Sequence, residues 1–260
     1  MEITILGSGS STGVPAVDRG WGNCNPSNPK NQRTRSSIFI NMKKTKILVD
    51  TSPDLRAQLL ASNIKSLNAV IFTHAHADHL HGIDDLRAIN RLMNAPIEMF
   101  ADGATLDIIN TRFKYTLEAL PKRAKGYFTK PTLLPNLVNA GEKININNIP
   151  IQTFDQDHGF SRTLGLRISN FAYSTDLVEL PENSLQYLTG LHTWVIGVFS
   201  KRPHLTHVHL DKALDWIEKA APKRAILTHL GPELDFEDLK RNLPEHVLPA
   251  FDGQKFSCPD

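Results

Sequence analysis

The segment Thr73-His74-Ala75-His76-Ala77-Asp78-His79 places three imidazoles and a carboxylate within seven residues. Four of the chain's 11 histidines fall between positions 74 and 81. Imidazole nitrogens and carboxylate oxygens are ligands that Zn²⁺, Mn²⁺ and Fe²⁺ accept alike. A loop leaving a strand end can point alternate side chains inward, so His74 and His76 can share one ion. As the loop turns into a helix, Asp78 and His79 can face a second. A solvated loop with incidental histidines would need no strand before it and no helix after it. Here the apolar run Ala69-Val70-Ile71-Phe72 precedes the segment, and Asp84–Leu92 follows with helical spacing.

One segment cannot fill two metal shells. Three further candidates stand at apparent strand ends: His158 after Phe154-Asp155-Gln156-Asp157, Asp176 after Phe171-Ala172-Tyr173-Ser174-Thr175, and His229 after Ala225-Ile226-Leu227-Thr228. A carboxylate has an oxygen for each of two ions, which suits Asp176 to a bridging place. Taken singly, each of the three reads as an ordinary polar residue. Beside residues 73–79 they read as ligands.

The elements that must position these groups alternate along the chain. Ile3–Leu6, Ser37–Asn41 and Lys46–Asp50 read as strands, the last two joined by the polar turn Lys43-Lys44-Thr45. Pro53–Ser62 reads as a helix with Ser52 as its N-cap. Ile97–Phe100 is the next strand, and Ala104–Leu120 the next helix. Strands dominate residues 144–171. Phe171–Ser174, Trp194–Phe199 and Ala225–Leu227 read as further strands, with helices at Leu210–Ala220 and Phe236–Asn242. Residues 15–35 form a long loop of the kind that often borders a site. No repeat or linker divides the chain, so one mixed α/β domain over residues 1–260 is expected.

Composition narrows the function classes. Hydrophobic residues make up 40% and charged residues 22%, a globular balance. A net charge of +2 is too small to hold nucleic acid through bulk electrostatics. Cys24 and Cys258 are the two cysteines, too few for a disulfide framework or a Cys-rich zinc module. No apolar stretch approaches a spanning length of roughly 18 residues, and no secretory leader is visible. A cytoplasmic location without membrane attachment is the expectation.

The motif Thr73–His79, with His158, Asp176 and His229 following in order and Asp50 before it, resembles the metallo-β-lactamase superfamily. The resemblance implies an αββα sandwich with metals at one edge. It implies that His74, His76 and His158 hold a first ion, that Asp78, His79 and His229 hold a second, and that Asp176 bridges them. The stretch Leu6-Gly7-Ser8-Gly9-Ser10-Ser11-Thr12-Gly13-Val14-Pro15 is similar to that of the phosphodiesterase branch. That branch includes tRNA 3′-processing nucleases and the cyclic-phosphate phosphodiesterases of the carbon–phosphorus lyase pathway, to which Trp21-Gly22, Arg33–Ser37 and Pro203–Leu210 are alike. Those cyclic-phosphate enzymes hold a structural zinc with three Cys in the first loop and a later His. Here the loop carries Cys24 alone, and Pro232 stands near the position of the His.

The implied activity is hydrolysis of a small cyclic or nucleotide-like phosphodiester by a metal-bridging hydroxide between two divalent ions, Zn, Mn or Fe. Asp78 would bind metal and orient that hydroxide. Asp50 would accept a hydrogen bond from a ligand histidine. The branch places a general acid at His207, with His204 and His209 close by. Lys30, Arg33 and Arg35 of the first loop are candidate phosphate contacts, as is the basic stretch Lys122-Arg123-Ala124-Lys125. His81, His192 and His246 are read as structural. The alternatives are a tRNA 3′-processing-type endoribonuclease or a lactone, thioester or lactam hydrolase. The resemblance leaves room for a homodimer.

Overall fold

The computed structural model describes residues 1–259 except Lys125. The first half of the chain contains β1 (Glu2–Gly7), β2 (Ser37–Met42), β3 (Thr45–Val49), α1 (Leu55–Ala61), β4 (Ala69–Ile71), α2 (Ala77–Leu80), α3 (Leu86–Met93), β5 (Ile97–Ala101), α4 (Gly103–Arg112) and β6 (Leu133–Leu137). The second half contains β7 (Lys143–Ile146), β8 (Ile149–Asp157), β9 (Arg162–Ile168), β10 (Phe171–Ser174), α5 (Glu182–Leu185), β11 (Thr193–Gly197), α6 (Leu210–Ala220), β12 (Arg224–Thr228), α7 (Phe236–Asn242), β13 (Val247–Pro249) and β14 (Lys255–Ser257).

These strands make two seven-stranded sheets, ordered β14-β1-β2-β3-β4-β5-β6 and β13-β12-β11-β10-β9-β8-β7. The last strand thus returns to the first sheet and pairs antiparallel with β1. Side chains alternate across each strand with a period of two, and the alternation sorts three apolar layers. Ile38, Ile40, Ile47, Val49 and Ile71 meet Tyr173, Val195 and Ile226 between the sheets. Phe39, Leu48, Val70 and Phe72 face outward onto α1, α3 and α4. Trp194, Ile196, Ala225 and Leu227 face outward onto α6 and α7. Both faces of the central strands are therefore buried, which explains their unbroken apolar runs. The result is an αββα sandwich.

Strand direction decides where chemistry can gather. β3, β4 and β5 run parallel, as do β10, β11 and β12. β8 and β10 each pair antiparallel with β9, so those two share a direction. The Leu164 N–H donates to the Thr73 carbonyl at 3.0 Å and ties the two sheets together beside the motif.

Three helix limits differ from the expectation: the helix read from Asp84 begins at Leu86 and ends at Met93, after a 3₁₀ turn at Ile83–Asp85. The helix from Ala104 ends at Arg112, not Leu120. There Phe113 leaves the helical conformation and packs on His81, and the Lys130 ammonium donates to the carbonyls of Tyr115 and Glu118 in the turns that follow. The helix near Pro53 begins at Leu55, with Asp54 at the cap position. The Ser52 hydroxyl instead donates to Gln58 Oε1 at 3.1 Å.

Candidate metal centre

Asp50 stands just past β3 in a left-handed conformation, with φ of 64°. Asp176 follows β10 and His229 follows β12, with φ of 50° and 54°. Such backbone costs roughly 1–3 kcal/mol per residue outside glycine and tends to sit at functional sites. Here it turns three side chains sharply off their strand ends into one edge of the sandwich. Gly197, at the end of β11, lies between them. A Cβ there would sit 3.3 Å from the Asp176 nitrogen and 3.4 Å from His229 Cβ, so any larger residue would press on both.

The donor atoms form two groups that share Asp176. His74, His76, His158 and Asp176 each offer one atom, all within 4.8 Å of one another, and so do Asp78, His79, Asp176 and His229. The two oxygens of Asp176 divide between the groups. Oδ1 lies 3.2 Å from His79 Nε2 and 3.1 Å from His229 Nε2. Oδ2 lies 3.7 Å from both His74 Nε2 and His158 Nε2.

Hydrogen bonds behind the ligands set which nitrogen faces inward. Asp50 Oδ2 lies 2.7 Å from His79 Nδ1. The carboxylate can only accept, so Nδ1 carries the hydrogen and Nε2 is left for the centre. Thr73 donates its amide to Asp50 Oδ1 at 2.7 Å and its hydroxyl to Oδ2 at 2.8 Å. That hydroxyl oxygen must then accept from His74 Nδ1, 3.0 Å away, which frees His74 Nε2. His158 Nδ1 donates to the Thr206 carbonyl at 2.6 Å, with the same result.

This donor set fits a metal. His74 Nε2, His79 Nε2, His229 Nε2 and Asp78 Oδ2 are buried without a hydrogen-bond partner. A buried polar atom left unpaired costs about 1–3 kcal/mol, and four in one place call for a ligand. The charges agree. Burial, with His79 beside it, holds His74 well below the usual imidazole range, and burial brings His158 down to about 4. Both are thus neutral, the form that coordinates. Burial would also lower His79, but Asp176, Asp78 and Asp50 outweigh it and raise it well above that range. Burial would raise Asp176, yet His229 and His79 hold it well below the carboxylate range. The anionic pocket demands positive charge.

His207 joins the same edge. Its Nε2 lies 3.4 Å from Asp176 Oδ2, and its ring stacks on His229 at 5.0 Å. Thr206 Oγ1 is 2.8 Å from its Nδ1. Of the three neighbouring histidines, His207 is the one that meets Asp176. His204 is exposed against Phe199, and His209 is the N-cap residue of α6. Thr206 was not singled out by the motif, although it holds both His158 and His207. Its position inside the histidine cluster was the available signal.

The arginine expectation needs correction. Arg33 is 2% exposed. Its guanidinium donates to the Leu234 carbonyl at 2.8 Å, the Gly231 carbonyl at 3.4 Å and Asn31 Oδ1 at 3.2 Å. It clamps the first loop to the loop after β12 and cannot reach a substrate. Arg35 pairs with Asp54 at 3.0 Å. Lys30 lies over the rings of Phe236 and Phe251. Lys125 of the other basic stretch lies outside the described residues. Cys24, without further cysteines nearby, donates to the Pro232 carbonyl at 3.4 Å. His81 packs on Phe113, and His192 Nδ1 lies 2.9 Å from Thr193 Oγ1.

Residues 45–230 match the family model of the beta-lactamase superfamily domain, and with the two-sheet fold and the His/Asp cluster this makes the chain a member of the metallo-β-lactamase superfamily. Among solved structures it is similar to a diphosphatase from the PhnP family, with 31% identity and a TM-score of 0.89, covering 98% of this chain and 96% of that one. It is also 30% identical over 256 residues to an octanoyltransferase of Porphyromonas gingivalis, covering 97% of this chain and 51% of that protein. A ribonuclease Z of Rippkaea orientalis is 30% identical over 140 residues, 52% of this chain and 40% of the relative. The chain thus spans about half the length, or less, of these two curated relatives. No described helix is long and apolar enough to cross a membrane.

Proposed function

We propose that the protein is a binuclear phosphodiesterase acting on a small cyclic or nucleotide-like phosphodiester. The observation that carries this reading is the division of Asp176, with one oxygen toward His79 and His229 and the other toward His74 and His158. His74, His76 and His158 would hold one divalent ion and Asp78, His79 and His229 the other, with Asp176 shared. Zn²⁺, Mn²⁺ and Fe²⁺ all suit these donors. When bound, such a pair supplies an activated water for attack and positive charge against the phosphoryl oxygens.

The chain's own residues do the rest. Asp50 and Thr73 hold His79 and His74 in the tautomers that present Nε2. Asp78, at the start of α2, orients the attacking water. As the bond from phosphorus to the leaving oxygen breaks, that oxygen needs a proton. His207 Nε2 faces Asp176 at 3.4 Å, so in the tautomer that carries the hydrogen on Nε2, with Nδ1 accepting from Thr206 Oγ1 2.8 Å away, His207 is placed to give it up. The 31% identity to a diphosphatase of the PhnP family supports phosphorus over carbon as the electrophile.

The test is turnover of bis(4-nitrophenyl) phosphate and 2′,3′-cyclic nucleotides, with metal content measured alongside. We expect cleavage by protein holding about two equivalents of metal per chain. Cleavage of thioesters or lactones without phosphodiester cleavage would reverse the assignment. The partial identity to ribonuclease Z favours a second reading, tRNA 3′ processing. Against it stands a net charge of +2. Precursor tRNA in the same panel separates the two.

A further inference from the structure

Two large apolar side chains stand uncovered at the rim of the metal centre. Phe160 is 88% exposed and Leu205 78%. Single exposed apolar residues are ordinary on a protein surface. These two are isolated neither from each other nor from the site. Phe160 follows the donor His158 by two residues, and Leu205 precedes His207 by two. The two turns touch at Gly159, where a Cβ would come within 2.7 Å of the Leu205 carbonyl oxygen and 3.0 Å of Thr206 Cγ2.

Hydrogen bonds hold both turns. The His158 N–H donates to the Ser161 carbonyl at 2.9 Å, and the Phe160 N–H donates to the His158 carbonyl at 3.0 Å. The Gly159 N–H donates to Asp157 Oδ1 at 2.7 Å. On the facing turn, the Thr206 carbonyl accepts from His158 Nδ1 at 2.6 Å, and the Thr206 N–H donates to His204 Nδ1 at 3.3 Å. Both apolar groups are thus presented on backbone that the site itself keeps in place. A surface fixed in this way loses little freedom when a ligand packs on it.

Charge on the first of these turns is already engaged. Arg162 donates to Asp155 at 2.9 Å and pairs with Asp157 at 2.8 Å. What the turn offers a ligand is therefore the ring of Phe160. The rings of His158 and His207 lie 4.8 Å apart between the two apolar residues in the chain's arrangement of turns. A group that leaves past His207 meets Leu205 and Phe160.

We propose that Phe160 and Leu205 form a platform on which a nucleobase of the departing half of the substrate packs. This rests on the phosphodiesterase reading and on the place of His207 in it. The substrate class is then a phosphodiester whose leaving group is a nucleoside, not a bare sugar or an alkyl alcohol. A base has a flat apolar face, and stacking on an aromatic side chain tolerates any of the bases.

The test gives metal-loaded protein three substrates. They are a dinucleoside monophosphate, its analogue without the base on the departing sugar, and its analogue without the base on the retained sugar. In wild type, loss of the departing base should lower kcat/KM by about tenfold, within the range that one stacked base contributes. Loss of the other base should matter little. The difference should persist as salt rises, because salt screens ion pairs and not stacking. Phe160→Ala/Leu205→Ala should lose the preference for the departing base and keep its thermal midpoint, since both side chains are exposed. Phe160→Tyr, which keeps an aromatic face, should retain the preference. Equal kcat/KM with and without the departing base overturns the platform. So does a preference that survives in Phe160→Ala/Leu205→Ala, and a shift in that variant's oligomeric state would then give the patch to a second copy of the chain. Bis(4-nitrophenyl) phosphate and 2′,3′-cyclic nucleotides separate the two failures. If wild type cleaves either of these but not the dinucleotide, the platform alone falls. If it cleaves none of them, the phosphodiesterase reading falls with it.

Discussion

Asp50 Oδ2 and His79 Nδ1 lie 2.7 Å apart, with both side chains fully buried. Asp50 also accepts the amide and hydroxyl of Thr73, whose oxygen holds His74. One carboxylate that is not itself in either donor group therefore orients a ligand from each of them.

Replacing Asp50 with Asn keeps the volume and tolerates the left-handed backbone, but it weakens the acceptor facing His79. We expect metal affinity to fall by about 10–100-fold with the fold retained, as for other partners of ligand histidines. Competition with a chromophoric chelator reads this directly. Unaltered affinity would reduce Asp50 to a strand-end residue.

Asp176→Ala should abolish activity and lower the metal content per chain, because both donor groups lose an oxygen. Asp176→Asn is the informative companion. It keeps the backbone conformation and one oxygen, so it should retain one ion better than two. Elemental analysis distinguishes the variants, and full activity in Asp176→Ala would remove the shared role.

His207→Ala should slow substrates with poor leaving groups far more than 4-nitrophenyl esters, which leave without protonation. A general acid typically contributes 10²–10⁴-fold. The measurement is kcat across a leaving-group series. Equal slowing of all members would place His207 in binding instead.

Arg33→Met should cost stability and leave KM untouched. The Leu234 and Gly231 carbonyls would lose a buried donor, at about 1–3 kcal/mol. Urea unfolding and substrate saturation measured together check both halves. A raised KM at unchanged stability would return Arg33 to the substrate.

Asp235 ties the same loops. Oδ1 accepts from the amides of Glu237 and Asp238 at the start of α7, and Oδ2 accepts from the Asn25 amide and the Asn31 side chain. Burial pushes its carboxyl up, but these donors outweigh that and hold it below the usual range. A folded value below the unfolded one stabilises at higher pH, and this contribution fades as pH falls below about 4. Asp235→Ala should therefore cost about 1–2 kcal/mol at neutral pH, with the gap to wild type narrowing in acid. A gap independent of pH would mean that packing, not charge, makes the contribution.

Much of the site was legible in the residues themselves. The dense run from His74 to His79 announces metal because no other common chemistry needs those types at that spacing. The apolar runs before His74, Asp176 and His229 announce strands buried on both faces, and parallel strands bring their ends to one edge. Helix limits were less legible. α6 and α7 match their pattern, whereas the helix from Ala104 stops at Arg112 because Phe113 finds His81, a contact distant in sequence.

Sequence alone indicated the fold class and the candidate donors, since both follow from residue type, order and period. Tertiary structure decided what each donor faces. It divided the oxygens of Asp176 between two groups, drew His207 in from among three histidines, and buried Arg33 under loops joined only by folding. Residues such as Arg33 and Leu234 lie 201 apart in the chain, and no local pattern encodes their meeting. Spacing could say that residues 73–79 gather metal-type donors; only the packing of two sheets could say which nitrogen faces Asp176.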